Sequence, residues 1–450
     1  MTAPETRINL PPHEVSQPEA APDLTHIQGQ VLAARLHRKI AFFTVGIPGQ
    51  DESQIAVART PDEEGVYADG LANIKTGDII SAEGVLGETE ASKKRGLGQI
   101  TLFATELSVV ADNQTPRWPG EDLTAQHERQ ADHTRVLLER QAARQSIRGL
   151  LDARGYVELE TSMLQRNPSG AAARTFTTTA NFNGAEYHLR IAPEIDLKLE
   201  MAKTGLPRVY EIGRNFRNEG VSATHHPEFT NMEMYTVGAN QDESIGTAGE
   251  LLSKIAEAQS AEEPTEFDTM PVLDYAELFD EHLDIDLHAL AALDDTDQAE
   301  YLRAYVVRNN ILDPALTELH TSGMLDQMFK RVIRPKLIGA SVITGYLSRQ
   351  MPLAASLPGQ TEIVDGFQVI FRQQEIVKAY NELVDPLQLQ ENLAAQAGES
   401  DEDATATDPR LIEAARMGLP QMYGIGIGLD RFHALLTDRR IEDIIPVPIK

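Results

Sequence analysis

The chain has 450 residues, a formal net charge of −29 and no cysteine. That length allows two or three domains with sizeable cores, and the missing cysteines exclude disulfides, thiolate metal sites and cysteine catalysis. The acidity argues against a general nucleic-acid binder, because phosphates are held by Lys and Arg, and no apolar run is long enough to cross a bilayer, so no membrane partner is expected.

Residues 1–24 contain Pro and Glu and lack an apolar signal-peptide core; they read as a disordered tail, and with the lack of cysteine this fits a cytoplasmic protein. From 25 to 111, short apolar runs alternate with polar turns: GQVLAARL, KIAFFTVGI, QIAVART, DIISAEGVLG and QITLFATEL. Five strands around one small core predict a five-stranded OB-fold barrel. Phe42 and Phe43 fall in its second strand, near the basic cluster Arg35–Lys39. Exposed aromatics on such a face stack on unpaired bases, although strand alternation sends one of two neighbours into the core.

Residues 112–132, with Pro116 and Pro119, read as a polar linker. A helix is expected from His133 to about Arg154, followed by a strand in RGYVELETSML. The stretch 241–324 is acidic and reads as a largely helical surface insertion in the body formed by 133–450. A second acidic run, GESDEDATATD, starts at Gly398.

Two motifs carry most of the functional information. The first is RVYEIGRNFRNEGVSATHHPEFTNMEMY, from Arg208 to Tyr235. Val209, Tyr210 and Ile212 lead in as a strand, Gly220, Ser222 and Pro227 mark a loop, and Phe229, Met232, Met234 and Tyr235 lead out. Taken alone, such a segment is usually an edge hairpin with a solvated turn. The alternative is a nucleotide grip that is not a P-loop: Arg217 forks onto a phosphate, Phe229 stacks on a base, and Glu219 accepts from an exocyclic amine. The second motif is Gly424-Ile-Gly-Ile-Gly-Leu-Asp-Arg431, a strand open to close approach followed by a helix whose first turn projects Arg431. It lacks the G-x-G-x-x-G dinucleotide fingerprint.

Together these motifs resemble motifs two and three of the class II aminoacyl-tRNA synthetases, and in detail the lysyl branch. The resemblance spans about Ile27 to Pro448 and includes GAAARTF from Gly170, LRIAPEIDLK from Leu189, QEIVKAYNEL from Gln374 and LPQMYGIGIGLDRF from Leu419. It implies an α+β fold, an antiparallel-sheet class II catalytic domain preceded by the OB-fold barrel. It also implies a homodimer built on motif one, a barrel that reads the anticodon, ATP and Mg²⁺ as reaction partners, and lysine and tRNA(Lys) as substrates.

Carried over residue by residue, the resemblance makes Arg217 and Arg431 the catalytic pair on the ATP phosphates, with Glu219, His225, Phe229, Glu375 and Gly428 completing the ATP site. Glu194, Glu233, Tyr235, Lys378, Tyr380, Glu382 and Gly170 line the amino-acid pocket, and Phe42 and Phe43 face the anticodon. Burying the substrate's ammonium requires carboxylates, and this opposes an aspartyl or asparaginyl specificity. Three positions depart from the family pattern. Ser162 replaces a proline of motif one, Lys378 replaces an asparagine, and Gln368 replaces the second of two metal-binding glutamates, the first being Glu375. Glu362 or Asp365 could substitute for Gln368. A paralogue that passes lysine to another acceptor, or a non-catalytic RNA-binding relative, remains an alternative reading.

Overall fold

The computed structural model describes residues 6–8, 24–37, 40–47, 52–58, 71–88, 100–111, 123–167, 173–259, 264–309, 311, 319–399 and 409–448. It forms two compact units, 1–138 and 139–450.

In the first unit, β1 (Thr6–Ile8) pairs with Leu107–Val109. These three residues of the expected disordered tail are therefore ordered, because they find a free strand edge; the rest of 1–24 lies outside the described residues. The strands β2 (Thr25–Leu36), β3 (Ile40–Gly46), β4 (Ser53–Ala58), β5 (Ile79–Glu88) and β6 (Ile100–Ala111) close into a five-stranded barrel, β4 pairing parallel to β6 and β6 returning to β5. Its core is one cluster that includes Val31, Phe43, Val45, Ile55, Ile80 and Leu102. Alternation along β3 decides the fate of the two phenylalanines. Phe43 is completely buried and cannot meet a base, which corrects the expectation for that residue. Phe42 lies half-buried on the outer face, opposite Arg35 and edge-on to the His37 ring at 6.0 Å.

The helix α1 (Leu123–Ala153) begins inside the expected 112–132 linker, since nothing after Gly120 breaks a helix. The second unit is built on an eight-stranded sheet. In chain order its strands are β7 (Val157–Glu158), β11 (Arg208–Phe216), β12 (Glu228–Val237), β13 (Val272–Asp274), β14 (Ser341–Thr344), β17 (Gly366–Phe371), β18 (Gln374–Asn381) and β19 (Met422–Ile427). In space they run β13-β14-β17-β18-β19-β12-β11-β7, antiparallel except for the two edge pairs. Strands β8 (Leu164–Gln165), β9 (Thr177–Thr179) and β10 (Glu186–Leu189) form a small sheet, and β15 (Ser356–Leu357) and β16 (Gln360–Val364) a two-stranded one. The helix α2 (Glu194–Thr204) ends at Gly205, whose φ of 72° is the left-handed closure glycine provides.

One face of the large sheet packs into the main core. Ile147 and Leu151 of α1 join Leu251, Leu252 and Ile255 of α3 (Gln241–Ala258) against Met232, Met234, Val369, Val377, Ile425 and Ile427. This corrects the reading of 241–324 as a surface insertion. Its first helix is a structural member of the core, its acids Asp242, Glu243, Glu250 and Glu257 lying off the apolar stripe. The helices α4 (Tyr275–Leu283), α5 (Leu287–Ala291), α6 (Asp295–Asn309) and α7 (Thr321–Met328) build a second core with Ile343 and Ile370, which caps the β14–β17 end of the sheet's other face. Two more helices, α8 (Pro386–Glu399) and α9 (Pro409–Arg416), lie between β18 and β19 in the chain.

Candidate active site

Residues directly opposite one another on neighbouring strands project to the same face. The register therefore places Gln368, Lys378, Gly426, Glu233 and Glu211 in one row across β17-β18-β19-β12-β11. The next row is Gly366, Tyr380, Gly424, Tyr235 and Val209. Both rows lie opposite the core face. The alternating glycines of β19 thus floor a cleft. A Cβ at Gly424 would stand 2.6 Å from Glu382 Oε1 and 2.7 Å from Tyr235 Cε1, so any side chain there would push these two pocket residues out of place. On β18 the register slips by one residue, with Val369 opposite Val377 but Ile370 opposite Glu375. Ile376 is the extra residue, and both it and Val377 enter the core. This bulge turns Glu375 to the cleft face, where strict alternation from Lys378 would have buried it.

At the nucleotide end, β11 and β12 pair without interruption from Arg208–Thr236 to Phe216–Glu228, and the arm 217–227 connects them. The arm is pinned by Arg217 N donating to Pro227 O and Ser222 N donating to His225 O. The Arg217 guanidinium lies 5.2 Å from the Phe229 ring centre, and its buried Nε has no hydrogen-bond partner. Glu219 is exposed on the arm. Arg431 stands in the first turn of α10 (Leu429–Leu436), which begins after Gly428. It donates to Glu375 O at 2.8 Å and, through Nη2, to His225 Nε2 at 3.0 Å. Because Arg can only donate, Nε2 is the acceptor and the His225 proton sits on Nδ1, near Ser222 Oγ and Thr224 Oγ1. Burial, then Arg431 and Arg217, lower the His225 pKa and keep the ring neutral. The neighbouring Asp430 accepts from Thr230 N at 2.7 Å and pairs with Arg140, which fixes α10 to β12 and α1. Arg334, not anticipated from sequence, lies close enough to Arg431 and Glu375 to act on both electrostatically.

At the other end, α2 packs through Leu197 and Met201 against Val209 and Tyr235. Its Glu194 and Lys198, one turn apart, share a face. Lys198 Nζ donates to Glu194 Oε1 at 2.6 Å and to Glu382 Oε2 at 2.5 Å, and lies 5.6 Å from the Tyr235 ring centre. Tyr380 OH donates to Glu194 Oε1 at 3.2 Å. Glu233 accepts from Asn231 Nδ2 at 2.8 Å and lies 3.5 Å from Tyr235 OH. Burial first, then Glu194, raise the Glu233 pKa to about 7 against the pull of Asn231 and Lys198. Burial works against the Lys198 charge, but Glu194 and Glu382 outweigh it and raise its pKa. For Glu382, burial raises the pKa and Lys198 opposes the rise. Glu211, the outermost acid of the first row, is neutralised by the fully buried Arg190 at 2.5 Å. Lys378 is exposed in the cleft.

The structure thus brings together Arg217, His225, Phe229 and Arg431 at one end and Glu194, Glu233, Tyr235, Tyr380 and Glu382 at the other. Gly170 lies outside the described residues. Among the metal candidates named from the sequence, Glu375 is the carboxylate that faces the cleft. Gln368 Oε1 accepts from Tyr346 OH at 2.9 Å. Asp365 is engaged by Asn381, Gln241 and Tyr423, and Glu362 is exposed on the separate β15–β16 ribbon. Among the described residues no group of three acids or histidines could hold a metal alone. One carboxylate does fit a Mg²⁺ bound chiefly by phosphates and water, its usual mode in phosphoryl sites.

An antiparallel sheet with one arginine on a strand-loop-strand arm and another on the helix after a glycine-rich strand defines a class II aminoacyl-tRNA synthetase catalytic domain. Residues 124–450 match the family model described as tRNA synthetases class II (D, K and N), and the chain belongs to that family. Within it, the chain is 31% identical over 446 residues to the Lysine--tRNA ligase of Chloroflexus aurantiacus, covering 94% of this chain and 88% of that protein. The Lysine--tRNA ligase of Dehalococcoides mccartyi is 29% identical, with 97% and 89% covered. That of Trichormus variabilis is 29% identical, with 94% and 78% covered.

Proposed function

We propose that the chain is a lysine–tRNA ligase, which activates lysine with ATP and transfers it to the 3′ end of tRNA(Lys). The observation that carries this reading is the acid-lined pocket of Glu194, Glu233 and Glu382 beside the two arginines. A buried ammonium needs carboxylate partners, whereas an aspartate or asparagine side chain would meet repulsion or unpaired acids there.

In the first step a substrate carboxylate oxygen attacks the α-phosphorus of ATP, the bond from that phosphorus to the bridging oxygen breaks, and pyrophosphate leaves. The carboxylate is already ionised at neutral pH, so no general base is required. The work left to the protein is positioning and support of charge on the phosphates. Arg217 holds the α-phosphate and the attacking carboxylate together, and Phe229 stacks on the adenine. Arg431, braced by Glu375 O and neutral His225, reaches the far end of the triphosphate. Bound Mg²⁺ supplies positive charge to the phosphate oxygens, and Glu375 is the residue that would hold it. In the second step a terminal ribose hydroxyl of the tRNA attacks the adenylate carbonyl, the bond from that carbon to the phosphate oxygen breaks, AMP leaves, and the hydroxyl proton is released to the departing phosphate or to water.

Exposed Val157, Met163 and Leu164 on and beside β7 and β8 support a homodimer formed through this region. No described helix is long and apolar enough to cross a membrane, which agrees with a cytoplasmic enzyme. ATP–pyrophosphate exchange, with each protein amino acid supplied singly, tests the specificity. Lysine is expected to drive exchange; exchange driven best by aspartate or asparagine would overturn the pocket assignment.

The barrel is assigned to the anticodon through Phe42. Phe42→Ala is expected to leave exchange unchanged and to raise the KM for tRNA roughly tenfold, since one lost base stack is worth about 1–3 kcal/mol. Phe43→Ala should instead lower barrel stability by about 3–5 kcal/mol. A wild-type tRNA KM in Phe42→Ala would remove that residue from the RNA surface.

A further inference from the structure

The amino-acid pocket already contains an ammonium group. Lys198 is 1% exposed, Glu194 6% and Glu382 2%, so all three are withdrawn from water. Lys198 Nζ takes one oxygen from each acid, Glu194 Oε1 at 2.6 Å and Glu382 Oε2 at 2.5 Å. The second oxygens, Glu194 Oε2 and Glu382 Oε1, make no side-chain hydrogen bond among the described residues. Glu382 Oε1 is directed over Gly424, beside the Tyr235 ring. Among the described residues, Glu233 has no cation within salt-bridge distance. When ionised, the cluster of Glu194, Glu233, Glu382 and Lys198 carries two negative charges in excess; Lys378, the other ammonium of the pocket, is exposed in the cleft and pairs with none of these acids among the described residues. Glu211 does not enter this balance, because Arg190 neutralises it.

We propose that Lys198 is a built-in countercharge that orients Glu194 and Glu382 and limits the pocket to two uncompensated carboxylates, matched to a substrate with two ammonium groups. The inference rests on the lysine reading above. Without Lys198 the apo pocket would hold two buried acids and the half-buried Glu233, mutually repelling, an arrangement that is costly unless a cation pairs with them. With it, the apo pocket is stable and the oxygens that meet the substrate are set in advance, so little ordering is left to binding. Lys198 touches the two acids and not the reacting atoms, so it is a positioning residue.

The test is thermal melting of the full-length protein and of Lys198→Met and Lys198→Arg. Each is measured alone, with saturating lysine, and with norleucine, which has the stem without the terminal ammonium. Lys198→Met is expected to melt below wild type without ligand. Lysine should then raise its melting temperature by at least twice the wild-type shift, because the substrate supplies the missing positive charge. Norleucine should not reproduce this excess, and Lys198→Arg should stay close to wild type throughout. A lysine-induced shift in Lys198→Met no larger than in wild type would overturn the countercharge, since a purely structural lysine predicts lower stability with no lysine-specific recovery. Lysine shifting neither wild type nor variant would instead overturn the lysine pocket, and the countercharge with it. Should Lys198→Met fail to fold alone, Lys198→Met/Glu382→Gln removes one charge of each sign and is expected to fold and to melt near wild type. A double variant no more stable than the single one would also overturn the proposal.

Discussion

Arg217→Ala and Arg431→Ala are each expected to lower ATP–pyrophosphate exchange by about two orders of magnitude or more, with melting temperature little changed. The size follows from removing a preorganised charge aimed at a transition state, about 2.7–4 kcal/mol per contact. The two losses act at different points. Arg217 lies over Phe229, and among the described residues its buried Nε has no hydrogen-bond partner, so its removal takes away charge at the arm without breaking a side-chain hydrogen bond seen there. Arg431 is held by Glu375 O, His225 Nε2 and Thr224 O. Arg431→Lys would keep the charge but lose this fork geometry, and should recover only part of the rate. Near wild-type exchange in either alanine variant would place the triphosphate elsewhere in the cleft.

The parts of this site legible in sequence are those whose chemistry is local. The arm from Arg208 to Tyr235 announces itself by the switch from β-formers to Gly, Ser and Pro and back, and Gly424 to Arg431 by alternating glycines. What escaped reading depends on distant partners. Lys198 follows Glu194 by four residues, the spacing of an ordinary solvated helix pair. Only the packing of Leu197 and Met201 onto Tyr235 shows that this face is inside, and only the fold brings Glu382 to it. The bulge at Ile376 leaves no mark in QEIVKAYNEL, yet it decides that Glu375 faces the cleft. The helix α3 was masked by composition: its acids dominate a running average, while Ala248, Leu251, Leu252 and Ile255 form the stripe that enters the core. Phe42 and Phe43 were distinguishable only as a pair, because strand alternation fixes that one is buried and register decides which.

The last prediction concerns Glu233 and its proton. Glu233 is half-buried near Glu194, and desolvation with that neighbouring charge raises its pKa to about 7. A substrate ammonium arriving next to it stabilises the carboxylate and lowers the pKa again, so binding releases a proton wherever Glu233 was protonated beforehand. The sign follows by linkage. Above about pH 7 Glu233 is mostly ionised and adds no further pH dependence of its own. Below it, affinity falls by up to roughly tenfold per pH unit until the bound-state pKa is reached. The KM for lysine in exchange should therefore rise as pH drops from 8 to 6, while the KM for ATP does not follow the same curve. Glu233→Gln should raise the lysine KM by about two orders of magnitude at pH 8, the scale for leaving one partner of a buried charge pair uncompensated, about 2–5 kcal/mol. The amide oxygen can still accept from Asn231 Nδ2, so the strand pairing around it should survive. Because glutamine does not titrate, the same variant should also flatten the lysine profile between pH 6 and 8. A profile that keeps its wild-type slope in Glu233→Gln would assign the ionisation to another acid of the pocket, Glu382 first. An unchanged lysine KM would remove Glu233 from the substrate's partners altogether.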